Sequence, residues 1–86
     1  MIKVKVVFFA SFKERLGCSE LALELNPDST IQEVCNLLAD KGNIWQELFS
    51  SNKNQLKIAC NQQMAEIDLQ LNEGDEVAFF PPVTGG

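Results

Sequence analysis

The first residues of the chain impose the tightest condition on its fold. Ile2, Val4, Val6 and Phe8 alternate with Lys3, Lys5, Val7 and Phe9, the period of two that a β-strand needs when one face lies on a core. The alternation returns in Leu21, Leu23 and Leu25 against Glu20, Ala22 and Glu24, and again in Leu56, Ile58 and Cys60. Between the second and third of these strands the period becomes helical. Ile31, Val34, Cys35 and Leu38 fall at i, i+3, i+4 and i+7 and give one apolar face. The spacing predicts a main helix from about Thr30 to Lys41, capped by Ser29 or Thr30, with Glu33 in capping-box position and Gly42 as its stop.

Shorter signals fill the intervals. Ala10 to Leu16 reads as a helical turn stopped by Gly17, Asn26-Pro27-Asp28 ends the second strand, and Ile44 to Phe49 reads as a short second helix packed by Trp45. A polar loop, Ser50 to Gln55, leads to the third strand, which turns at Asn61-Gln62-Gln63 into a short extended piece near Met64 to Ile67. The turn Asn72-Glu73-Gly74-Asp75 then feeds a last strand, Glu76 to Phe80. The order β-β-α-β-β, with minor pieces, is one main helix packed across a mixed sheet, the β-grasp arrangement of the α+β class. One domain over residues 1–86 is expected, since a chain this short buries only about 60 to 68% of its unfolded surface.

Charge narrows the partners. The net charge is −5, which disfavours nucleic acid and anionic membranes. All seven Lys and Arg lie before Ile58, where seven acids balance them, so the excess sits in Glu66, Asp68, Glu73, Asp75 and Glu76. Asp75 and Glu76 are candidates for an acidic rim facing a basic partner surface. No segment approaches the roughly 20 apolar residues of a membrane span, and the amino-terminal run lacks the order of a secretory signal, so a cytoplasmic location is expected. Cys18, Cys35 and Cys60 form no C-x-x-C pair and histidine is absent, so no metal site is expected. Cys35 and Cys60 fall on core-facing positions and Cys18 does not.

The carboxyl-terminal run Pro81-Pro82-Val83-Thr84-Gly85-Gly86 is the candidate for the chemistry, against a functionless chain end. Two prolines end the ladder and favour polyproline II, so six residues project roughly 18 Å. The tail is stiff at its root and flexible at its Gly-Gly tip. Glycine at both last positions removes every Cβ, so backbone and carboxylate pass down a narrow channel. An ionised α-carboxyl is a poor electrophile and needs an activator. Adenylation by ATP makes it a mixed anhydride that a sulfur nucleophile can attack, leaving a thiocarboxylate on Gly86.

The string from Gly74 through Phe79-Phe80-Pro81-Pro82-Val83-Thr84-Gly85-Gly86 resembles the end of the small, sulfur-carrier subunits of molybdopterin synthase. Phe8-Phe9-Ala10, the segment ending at Gly17 and Ala59-Cys60-Asn61 extend the likeness over nearly the whole chain. Where members of that family often place Arg-Glu, this chain has Lys13-Glu14-Arg15, leaving either base for the family's contact. The resemblance implies a ubiquitin-like fold and a cycle. An adenylating enzyme of the ubiquitin-activating kind consumes ATP on Gly86, and a persulfide-bearing sulfurtransferase system supplies sulfur. The tail, Pro81 to Gly85, then threads into the large catalytic subunit within a heterotetramer, where cyclic pyranopterin monophosphate receives the sulfur. It also implies that the isolated chain is not an enzyme and holds no permanent cofactor. The competing expectations are a sulfur carrier for thiamine thiazole synthesis, a ubiquitin-like protein modifier, and an interaction module with an inert tail. With the first and last strands adjacent, Val7, Phe9 and one of Phe79 or Phe80 are expected to form an apolar docking patch on the face away from the helix.

Overall fold

The computed structural model describes residues 1–51 and 56–81. Strand β1 (Ile2–Phe8) is followed by helix α1 (Ser11–Leu16), β2 (Glu20–Leu25), α2 (Ile31–Ala39), α3 (Asn43–Gln46) and a π-helical turn (Glu47–Ser51). Strands β3 (Lys57–Cys60), β4 (Gln63–Met64) and β5 (Glu76–Phe80) complete the order. The sheet runs β2-β1-β5-β3-β4. The first and last strands are parallel neighbours at its centre, and the other pairings are antiparallel.

The alternation of β1 sorts its side chains as the sequence requires. Val4, Val6 and Phe8 are buried, whereas Lys3 and Lys5 face solvent. Ile31, Val34, Cys35 and Leu38 carry α2 onto the same core, and none of the four is exposed. Aromatic rings close one end of that core: Phe49 meets Phe79 edge-on with centroids 5.1 Å apart, and Trp45 meets Phe8 at 5.5 Å. Trp45 is therefore a packing residue, with Lys41 lying 5.6 Å from its ring centre.

Several boundaries differ from the sequence reading. Helix α2 is shorter at both ends, and Thr30 makes no side-chain cap; the Glu33 N–H donates to the Thr30 carbonyl at 3.0 Å instead. The helix's first donors find main-chain acceptors in a crossing segment, Ile31 N–H on the Leu69 carbonyl at 3.1 Å and Gln32 N–H on that of Ile67 at 2.8 Å. Those carbonyls satisfy the orphan amides that a capping box would otherwise serve. Gly42 does not end α2, which closes at Asp40; it leads into α3. The extended piece near Met64 to Ile67 is a strand only at Gln63–Met64.

Four turns require unusual backbone, among them the one before β5, where Gly74 has φ 85°. Gly17 ends α1 in the left-handed region at φ 66°. Asn61 and Gln62, at φ 52° and 70°, make the two-residue loop joining β3 to β4, the geometry of a type I′ hairpin turn. Ala10, at φ 54° and ψ −131°, occupies the second position of a turn closed by the Phe12 N–H on the Phe9 carbonyl at 3.2 Å. That is a type II′ turn with alanine where glycine is preferred, so Ala10 carries backbone strain.

Candidate functional site

The site is built where β5 leaves the sheet. Pro82, Val83, Thr84, Gly85 and Gly86 lie outside the described residues; Pro81, the first residue past the strand, is half-buried. Consecutive residues of β5 face opposite sides, which separates its two phenylalanines. Phe79 is 0% exposed and belongs to the core, so it is not a docking residue. Phe80 faces the other way and stacks on Phe9, with ring centroids 4.8 Å apart and planes 5° from parallel. Phe9 remains 42% exposed.

Strand register places a row of small and flexible side chains beside this ring pair. Val7 lies opposite Ala78, Ala78 opposite Ala59, and Ala59 opposite Met64. Two alanines thus floor a hollow of about 350 Å³, walled by the Phe9–Phe80 stack and by Met64, which is 71% exposed. Phe9 and Phe80 are brought together, whereas Val7 stands opposite Ala78 without lining the hollow. Met64, Ala59 and Ala78 were missed, because only the register shows that they share a row with Val7.

The acidic residues are engaged within the chain. Asp75 accepts from Asn61 Nδ2 at 3.0 Å with one carboxylate oxygen and from the Asn72 N–H at 2.8 Å with the other. It locks the turn before β5. Asn61 also accepts the Glu76 N–H at 3.0 Å and donates its own N–H to the Glu76 carbonyl at 2.8 Å. The Glu76 carboxylate stays half-exposed at the edge of the hollow, 3.8 Å from Lys5 Nζ, which also reaches Glu20 at 3.4 Å. Arg15 pairs with Glu47 at 3.5 Å.

The cysteines are dispersed. Cys35 is buried, Cys18 is half-exposed, and the Cys60 thiol has its pKa pushed up, first by burial and then by the nearby Asp75 charge. A thiol held protonated is a poor nucleophile. Among the described residues no group of His, Cys, Asp or Glu is arranged to hold a metal, and no helix is long and apolar enough to cross a membrane.

A five-stranded mixed sheet on one principal helix, with the central parallel strand running out into Pro81, defines a ubiquitin-like β-grasp domain. A ubiquitin of Caldiarchaeum subterraneum superimposes with a TM-score of 0.57 over 99% of this chain and 98% of its own, at 17% identity, a likeness of fold alone. The chain belongs to the ThiS family, whose sequence profile it matches across residues 6–86. It is 39% identical to a molybdopterin synthase sulfur carrier subunit of Haemophilus influenzae over 96% of this chain and 99% of that protein. It also resembles a chain in the Helicobacter pylori complex of subunits 1 and 2 of molybdopterin-converting factor, at 26% identity and a TM-score of 0.67, covering 99% of this chain and 100% of that one.

Proposed function

We propose that this protein is the sulfur carrier of molybdenum cofactor biosynthesis, and that the α-carboxyl of Gly86 carries the sulfur. The likeness to sulfur carrier subunits over almost their entire length is the observation that supports it most. The carboxylate attacks the α-phosphorus of ATP in an activating enzyme and expels pyrophosphate. A persulfide sulfur then displaces AMP from the acyl-adenylate, and reductive cleavage of the sulfur-sulfur bond by a thiol leaves a thiocarboxylate on Gly86. The loaded tail, from Pro81 to Gly85, enters the large subunit of molybdopterin synthase and delivers sulfur to cyclic pyranopterin monophosphate. All these partners act in the cytoplasm, and ATP is consumed by the activating enzyme without remaining on this chain.

The geometry suits a carrier that visits more than one enzyme. The apolar hollow bounded by Phe9, Phe80 and Met64 opens on the face of the strand that becomes the tail, so one docking event sets both the surface and the direction of entry. Neither Cys18, Cys35 nor Cys60 is needed for the chemistry. The test is to incubate the chain with ATP, the activating enzyme and a sulfur donor, then weigh it: replacing oxygen by sulfur adds about 16 Da. The gain should persist when all three cysteines are serine and vanish when Gly86 is removed. A chain that gains no mass refutes the proposal.

A further inference from the structure

The sheet order leaves β2 at one end, and among the described residues no strand pairs with its outer side. Its ladder to β1 is unbroken through six opposite pairs, from Ile2 against Leu25 to Val7 against Glu20, so no bulge twists the edge away. The Phe8 N–H donates to the Ser19 carbonyl at 2.9 Å, and these two residues continue the same register as an opposed pair. Antiparallel pairs alternate between hydrogen-bonded and non-bonded. Leu21, Leu23 and Leu25 therefore bond to β1, while Glu20, Ala22 and Glu24 turn their main-chain groups outward. The Glu20 carbonyl is taken by the Cys18 thiol at 3.2 Å. Ala22 and Glu24 present their N–H and C=O groups to the open side.

Edge strands are ordinarily blunted by Pro, Lys, a bulge or brevity. The opposite edge, β4, is two residues long; β2 has six residues, no Pro, no Lys and no bulge, and its charged side chains are Glu20 and Glu24. We infer that the outer edge of β2 is a docking site for an extended basic strand of a partner protein, bound by main-chain pairing to Ala22 and Glu24. Charge selects this occupant. Strand β2 carries Glu20 and Glu24 and no base; Lys5 reaches Glu20 from β1 at 3.4 Å, while Glu24, opposite Lys3 in the register, makes no ion pair among the described residues. A second copy fits poorly. Two-fold pairing centred on Ala22 sets Glu20 directly against Glu24, and centring on Leu21 or Leu23 leaves two glutamates on the diagonal, within reach of each other. A strand with Lys or Arg toward the glutamates and apolar side chains toward the half-buried Leu21 and Leu23 meets both faces of the edge. Because β1 separates β2 from β5, such a partner leaves Phe80 and Pro81 uncovered, and the edge and the tail can be occupied together.

The test uses the whole chain, amide hydrogen exchange by NMR, and two end-blocked seven-residue peptides, one alternating Lys and Val and one alternating Glu and Val. The Lys peptide should slow exchange at Ala22 and Glu24 about tenfold near saturation and leave the amides of Leu21 and Leu23, already bonded to β1, unchanged. Ala22→Pro removes only an outward N–H, a position where an edge strand accepts proline, and should abolish the protection while the fold persists. Glu24→Lys should reverse the preference toward the Glu peptide, independently of how Ala22→Pro folds. Unchanged exchange at Ala22 and Glu24, or changes confined to Phe9 and Phe80, would overturn the inference. So would concentration-dependent protection of those amides without peptide, which assigns the edge to a second copy.

Discussion

Phe79 and Phe80 are chemically identical neighbours on opposite faces of β5, and replacing each by alanine tests whether folding and docking separate between them. The unfolded chains of the two variants are nearly equivalent, so any difference between them arises in the native state. Phe79 is 0% exposed and touches the rings of Phe8 and Phe49. Its truncation removes a large buried side chain and leaves a cavity, at a cost of about 3–5 kcal/mol. For a chain of 86 residues, a total stability of roughly 0.05–0.15 kcal/mol per residue amounts to about 4–13 kcal/mol, so Phe79→Ala should forfeit a large part of it. Phe80 is half-buried and, among the described residues, its one ring contact is the stack on Phe9, worth about 0.5–1.5 kcal/mol beyond the area covered. Urea titration followed by circular dichroism should move the midpoint far for Phe79→Ala and little for Phe80→Ala. Titration against the large subunit of molybdopterin synthase should show the reverse order, with affinity weakened at least tenfold by Phe80→Ala, about 1.4 kcal/mol. Equal losses of stability in the two variants would refute the assignment of Phe79 to the core and Phe80 to the docking face.

Ala10→Gly should raise stability by up to about 1 kcal/mol in the same titration, because relief of the II′ turn outweighs the added freedom of the unfolded chain; Ala10→Val should lower it. Asn61→Ala should cost about 1–3 kcal/mol by leaving the Glu76 N–H and Asp75 without their partner. The Cys60 thiol is neutral in the folded state with a raised pKa, so above the ordinary thiol value the unfolded chain loses its proton first. Stability from this group is complete below that value and falls as pH rises toward the folded one, and urea midpoints of Cys60→Ala should lack this alkaline decline. Iodoacetamide at neutral pH should label Cys18 well ahead of Cys60, as peptide mapping can verify.

What could be read from the sequence was what depends on local period. The alternation in Ile2 to Phe8 and the helical spacing from Ile31 to Leu38 placed the strand, the helix and their buried faces, because side-chain direction follows directly from element type. The adjacency of first and last strands, and with it the Phe9–Phe80 pair, followed from the fold class. Tertiary partners decided the rest. Thr30 looked like a cap, yet the crossing carbonyls of Ile67 and Leu69 reached the amides first. Asp75 could be read as a cap or as a rim charge, and its donor from Asn61, fourteen residues earlier, carries no signal in the local sequence. Met64, Ala59 and Ala78 carry no signal of their own; they become a hollow only when three strands align in one register.

The position of β5 has a mechanical consequence. Its parallel neighbour β1 and antiparallel neighbour β3 grip it from both sides, up to its last residue before Pro81. Traction on the tail by an enzyme drawing it into a channel therefore loads both ladders in shear, many bonds sharing the force at once, where an edge strand would peel one bond at a time. A domain pulled along this strand is in this way least apt to unravel from that end.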